Sequence, residues 1–257
     1  MTSQPPNLDA LSTSVRRLRE LVEPLDDDMI VRPAFPTEWT IAQVISHIGS
    51  GAVISRRRLE DGIAGTTPDD EFAPQTWDEW NAKSPRAQVD DALAADAALI
   101  ADLLAVSDAA RSRFASTMGP ISLDFDGFVD LRLNEHAFHT WDIEVALDDA
   151  ATIPVPIAAV VVDNLEMIAR FTAQPTTGDP GTITVRTSEP DRSFDVELTA
   201  DGATLTPTPA TAGPVDLELP AEAFARLVYG RLDPAHTPSV AGEPALLDRI
   251  RNTYPGV

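Results

Sequence analysis

Apolar residues recur at three- and four-residue steps through the first half of the chain. Leu8, Leu11, Val15, Leu18 and Val22 form one such stripe, which predicts an amphipathic helix ending near Pro24. The turn-rich RPAFPTEW follows. Thr40, with Gln43 three residues on, has the spacing of a capping box, so a second helix is expected to start there and run through TIAQVISHIGSGAVISRRRLE. Residues 62–84 carry Gly, Pro, Asp and Thr without a clear period and predict a long loop with short helical pieces. Val89, Leu93, Leu99, Leu103 and Leu104, set among alanines, mark a third helix, and a fourth is expected from about Ser122 to Leu147. Four helices with one apolar face each predict a bundle.

After residue 150 the period changes. IPVPIAAVVVDNLEMIARF predicts one helix beginning at Pro154 or Pro156. TITVRT, SFDVELT, ATLTPT and VDLEL alternate apolar and polar residues between turn dipeptides, the pattern of short strands. PAEAFARLVYGR and PALLDRIRN predict two closing helices, which makes this part a small α+β domain. The expected organisation is therefore a bundle over residues 1–150 and an α+β domain over 151–257, joined near Asp148, Asp149 and Pro154.

Composition narrows the partners. A formal charge of −22 disfavours nucleic acid and anionic membrane surfaces, which need clustered Lys and Arg. No apolar run approaches the ~20 residues that span a bilayer, and MTSQPPNLDA has neither a basic nor an apolar leader segment, so a cytoplasmic protein is expected. Lys83 is the only lysine, and the abundance of Ala, Asp, Pro and Thr suits a GC-rich genome. There is no cysteine, which excludes disulfides, thiolate ligands and a protein-borne sulfur nucleophile. Any thiol chemistry must use the thiol of a cosubstrate.

Two of the four histidines fall in NEHAFHTWD, on the predicted fourth helix. Glu135 and His139 are four residues apart and share a face, which continues the line of Phe128 and Leu131 that reads as core-facing. His136 is rotated by about 100° and reads as a surface residue or a support to its neighbours. His47 borders the apolar stripe Ile41, Val44, Ile45 and Ile48 of the second helix. Two imidazoles and a carboxylate facing inward from two helices can supply three ligands to a divalent metal. The same donors suit zinc, nickel, iron or manganese. Asp142, three residues after His139, reads either as the group that orients that imidazole or as a solvent-facing acid. His236, in DPAHTPS, reads as a loop residue.

EWTIAQVISHI and LNEHAFHTWDIEVAL resemble the two metal-ligand segments of the mycothiol-dependent maleylpyruvate isomerase family. That resemblance implies an up-and-down DinB-like four-helix bundle followed by a sterol-carrier-like α+β domain, with zinc held by His47, Glu135 and His139. It also implies an actinobacterial source and mycothiol as the external thiol, which a metal would convert to thiolate at neutral pH. An arginine of the C-terminal domain is associated with catalysis in that family; Arg231 is the candidate here and Arg226 the alternative. The implied function is thiol transfer or cis–trans isomerisation of a small electrophilic substrate, one that can carry a carboxylate. The other classes left open are a ligand-binding module with a structural metal and a regulatory interaction protein. A closed fourth ligand would mark the structural site, an open position the catalytic one.

Overall fold

The computed structural model describes residues 4–35, 38–67, 69–119, 121–175, 179–209 and 213–256. Pro36 and Thr37 of RPAFPTEW lie outside them. The chain divides into two compact units, Met1–Ala151 and Thr152–Val257.

The first unit contains α1 (Pro6–Val22), α2 (Asp27–Ile30), α3 (Ile41–Ala64), α4 (Phe72–Asn81), α5 (Pro85–Ala105), α6 (Asp108–Arg111), the strands β1 (Ser116–Met118) and β2 (Ile121–Leu123), and α7 (Phe125–Val145). The four long helices form the bundle. α3 packs mainly on α5 and α1 mainly on α7, while α3–α7 and α1–α5 contacts complete the ring. The order around the bundle is thus α1–α7–α3–α5, so α1 and α3, consecutive long helices, lie diagonally opposite. The start of α3 is set locally: the Gln43 amide donates to Thr40 Oγ1, and Gln43 Oε1 accepts from the Thr40 amide at 2.8 Å. A capping box of this kind satisfies two of the donors that a helix start leaves unpaired, and an N-cap oxygen contributes about 1 kcal/mol. The end of α3 is set by Gly65, whose φ of 72° is left-handed.

One expectation needs correcting in this unit. α7 does not begin near Ser122. Asp124 caps it by accepting from the Gly127 amide at 2.8 Å, and residues 121–123 pair with 116–118 as an antiparallel hairpin instead. The stretch 62–84, read as a loop with short helical pieces, holds one such piece, the ten-residue α4, and α3 runs into it as far as Ala64. α4 seats Trp80 against Gly49 of α3, where a β-carbon would lie 2.3 Å from the indole. Glycine is what permits that approach.

The second unit contains α8 (Val155–Asp163), α9 (Leu165–Thr172), β3 (Gly181–Ser188), β4 (Arg192–Thr199), β5 (Gly202–Thr208), β6 (Leu217–Pro220), α10 (Ala221–Val228), β7 (Ala241–Gly242) and α11 (Pro244–Thr253). The sheet order is β5-β4-β3-β6-β7, antiparallel except for the parallel pair β3–β6. Alternate residues Ile183 and Val185, and Phe194, Val196 and Leu198, are buried. Phe194 meets Phe224 of α10 at 5.1 Å, so one sheet face forms a core with the helices. The single helix expected over 154–171 is two. At Asn164 the backbone tightens to a bond with Val161, and the Asn164 amide group donates to the Val160 carbonyl, competing with helical pairing.

Candidate metal centre

The sequence of α7 puts two different polar groups on two of its faces. Along Leu131, Glu135 and His139 the helix is only half-buried; along Arg132, His136 and Thr140 it is buried completely or nearly so. The sequence reading of these faces needs correcting: of the line taken as core-facing Phe128 is buried, but Leu131, Glu135 and His139 are only partly so, and His136, read as a surface residue or a support, is fully buried.

On the open line, Glu135 Oε2 lies 3.5 Å from His47 Nε2 and 3.6 Å from His139 Nε2. One ligand atom from each of the three residues falls within 4.8 Å of the others. Among the described residues no fourth His, Asp or Glu joins that group. The side chains are 35%, 46% and 13% exposed for His47, Glu135 and His139, so solvent reaches the cluster. The two imidazoles meet edge to face at 4.6 Å, and the Trp39 ring lies 5.4 Å from His47.

His139 is held from behind. Its Nδ1 lies 2.9 Å from Asp142 Oδ2, and Asp142 is fully buried, so of the two readings the sequence left for this acid the orienting one describes it. Asp142 is itself fixed, since its backbone carbonyl accepts from the Phe35 amide. With Nδ1 turned to Asp142, Nε2 is the nitrogen that faces the Glu135 carboxylate, a donor to it when protonated and a metal ligand when not. Burial works against ionisation of Glu135, but hydrogen bonds and charge from His139 and His47 outweigh it and hold its pKa below the usual carboxylate range. A divalent cation can take the place of the protons that join these groups, with the carboxylate oxygen and the two imidazole nitrogens as its ligands. The spacing suits one: tetrahedral ligands at about 2.1 Å from a metal stand about 3.4 Å apart.

The buried face carries a second group that the sequence analysis did not single out. Asp96 of α5 accepts from Arg132 at 2.8 Å and from His136 Nε2 at 3.2 Å. Arg132 also donates to the Ile48 carbonyl, next to His47 in α3. His136 Nδ1 accepts from Ser14 of α1 at 2.8 Å and from Thr140 at 3.2 Å. All four bundle helices therefore meet in one network; only Arg132 Nε lacks a partner. Burial lowers the His136 pKa and keeps the ring neutral, with Nε2 protonated toward Asp96. Burial would raise the Asp96 pKa, but His136 and Arg132 hold it down. With His136 neutral, the charge responsible is that of Arg132. The signal for Asp96 was present in the sequence: it stands in line with Ala92, Leu99 and Leu103, an acid on an apolar stripe.

The arginines proposed from the sequence are both buried, in the second unit. Arg226 is committed to Glu222 through two contacts of 2.8 and 3.0 Å. Arg231 donates to the Tyr229 carbonyl at 3.0 Å. His236 sits in a loop against Asp233 at 2.8 Å.

The chain is thus of the class that joins a four-helix bundle to a following α+β unit. Within that class it belongs to the mycothiol maleylpyruvate isomerase family. Residues 11–144 match the mycothiol maleylpyruvate isomerase N-terminal domain and residues 156–249 the MDMPI C-terminal domain. Two crystal structures of the mycothiol-dependent maleylpyruvate isomerase, one of them a histidine-to-alanine mutant, each superpose with a TM-score of 0.65 at 15% identity, over 95% of this chain and 97% of that one. YfiT from Bacillus subtilis, a four-helix-bundle protein, matches at 17% identity and a TM-score of 0.44, over 57% of this chain and 89% of that one. No curated protein matches the chain. Among the described residues no helix is long and apolar enough to cross a membrane.

Proposed function

We propose that this chain is a metal-dependent enzyme that uses mycothiol, as a thiol transferase or a maleylpyruvate-type cis–trans isomerase, on a small electrophilic substrate. The observation that carries the reading is the convergence of His47 Nε2, Glu135 Oε2 and His139 Nε2 on one half-exposed face. These residues would hold a divalent metal, zinc by preference, since two imidazoles and one carboxylate with no fourth protein donor are the usual set of an open zinc site. Bound there, the metal would supply thiolate at neutral pH from an external thiol, which fits a protein without cysteine.

The chain's own residues define the rest. Asp142 fixes the His139 tautomer and aim. The half-exposed edges of Glu135 and His47 leave room for a thiol to approach, with Trp39 as a neighbouring wall. For a carboxylate on the substrate, Arg231 is the proposed cation, the candidate that the family resemblance supports. In such a role its contribution is electrostatic.

The test uses the cobalt-substituted protein. Mycothiol should produce a thiolate-to-cobalt charge-transfer band in the near ultraviolet, glutathione a weaker one, and Arg231→Ala should keep the band while slowing turnover of carboxylate-bearing substrates. A cobalt spectrum unchanged at saturating mycothiol would overturn the proposal.

A further inference from the structure

The far half of α3 ends beside a cavity of about 170 Å³, built from the last turns of α3, residues 66–67, and the β1–β2 hairpin. Arg58 lines it. Arg58 lies eleven residues beyond His47, about 16 Å along the helix and within about 20° of the same face, so the cavity is separate from the metal cluster.

Arg58 is half-buried, yet it makes no hydrogen bond or ion pair with any described residue. In a chain with 41 acidic residues against 19 basic ones that is unexpected, and ion pairs engage Arg56 and Arg57 immediately before it. The desolvation that comes with its burial lowers its pKa, as burial without a counterion must. Asp61 lines the same cavity but is already committed: Arg57 donates to one of its oxygens at 2.7 Å and Thr66 to the other at 2.5 Å. The cavity lining also includes Thr67, Thr117 and Ser122, whose hydroxyls bond to no other described residue, and Thr117 and Ser122 are cross-strand partners on one face of the hairpin. A guanidinium with its donors unspent, in a cavity lined by hydroxyl-bearing residues, is complementary to a planar or tetrahedral oxyanion.

We propose that this cavity binds a small ligand through a carboxylate or phosphate group, with Arg58 as its counterion and the hairpin and loop hydroxyls as further donors. Such a site selects a charged group against the repulsion of an acidic surface, so it works only at short range.

The full chain is titrated with inorganic phosphate and, separately, with succinate, ionic strength being held constant with sodium chloride. Binding is read by calorimetry and by the rise in Tm that mass action gives a ligand of the folded state. Saturable binding of either probe is expected, and which of the two binds assigns the anion. Arg58→Met should weaken it at least about tenfold, in keeping with the loss of a charge-assisted hydrogen bond, and Arg58→Lys should recover part. The double variant Thr117→Val, Ser122→Ala should also weaken binding with the ligand-free Tm unchanged, which keeps the test decisive should Arg58→Met fail to fold. Arg113→Met, at an exposed position outside the cavity, and His47→Ala, in the metal cluster, should both bind as the parent does. The proposal is overturned by the absence of saturable binding for both probes, by equal weakening in Arg113→Met, or by loss of binding in His47→Ala, which would put the anion at the metal cluster.

Discussion

α7 carries two polar clusters within one turn of each other, and they are opposites. Asp96, Arg132 and His136 are buried, and nearly every donor finds an acceptor inside the cluster. His47, Glu135 and His139 are partly exposed, and one ligand atom of each converges on a common point, with Asp142 supporting His139 from behind. The first cluster is closed on protein groups; the second is open to solvent. A buried polar network that satisfies itself ties helices together, whereas one that leaves acceptors convergent is prepared for something from outside.

That contrast can be broken at either side. The largest effect expected is on bound metal: His139→Ala or His47→Ala should abolish the stoichiometric divalent metal found by elemental analysis of protein purified without chelator. The ligand-free Tm should move little, since the altered side chains are partly exposed. Chelation should lower the Tm of the parent protein and leave that of the two variants alone. On the closed side, Asp96→Asn leaves the Arg132 guanidinium buried without its counterion and should cost about 3–5 kcal/mol in denaturant unfolding. A smaller effect would show that Arg132 finds another acceptor or reaches water.

Asp142→Asn sits between the clusters in character, a buried acid serving the open one. It should weaken metal affinity about 10–100-fold, measured by competition with a chromophoric chelator, without removing stoichiometric binding at saturating metal. The smallest effect is in the pH profile. Asp96 has its folded-state pKa below the ordinary value, so the stability it contributes is fully present above that ordinary value, 3.8, and is lost as pH falls through the folded pKa. The acid limb of stability against pH should therefore be shallower in Asp96→Asn than in the parent. Parallel limbs would mean that the Asp96 carboxyl titrates alike in both states.

Local chemistry was the most legible part of the sequence. The Thr40–Gln43 box, the alternation in β3 to β6 and the stripe of α1 all read directly, because each is decided by neighbours in the chain. The faces of α7 did not. Phe128, Val129, Leu133, Ala137, Phe138, Trp141 and Ile143 bury nearly the whole circumference, so an apolar period carries little information and the exposed line is marked only by being the minority. His136 was misread for the same reason: its partners Ser14 and Asp96 lie 122 and 40 residues away. That His47, Glu135 and His139 fall together could be argued from resemblance, but the open side of the cluster came only with the coordinates. The β1–β2 hairpin was missed because three-residue strands leave no measurable alternation.

The ring order of the bundle has a consequence for how the chain reaches this structure. Of the long helices, only α3 and α5 are partners close in sequence; α1 waits for α7, and Asn7 donates to Asp130 across 123 residues. Closing a loop of that size precedes any reward from the contacts it brings, and this slows folding relative to a hairpin-built bundle. During synthesis α1 leaves the ribosome more than a hundred residues ahead of α7, its main partner. Its apolar stripe is exposed for that interval, a window in which a chaperone can shield it.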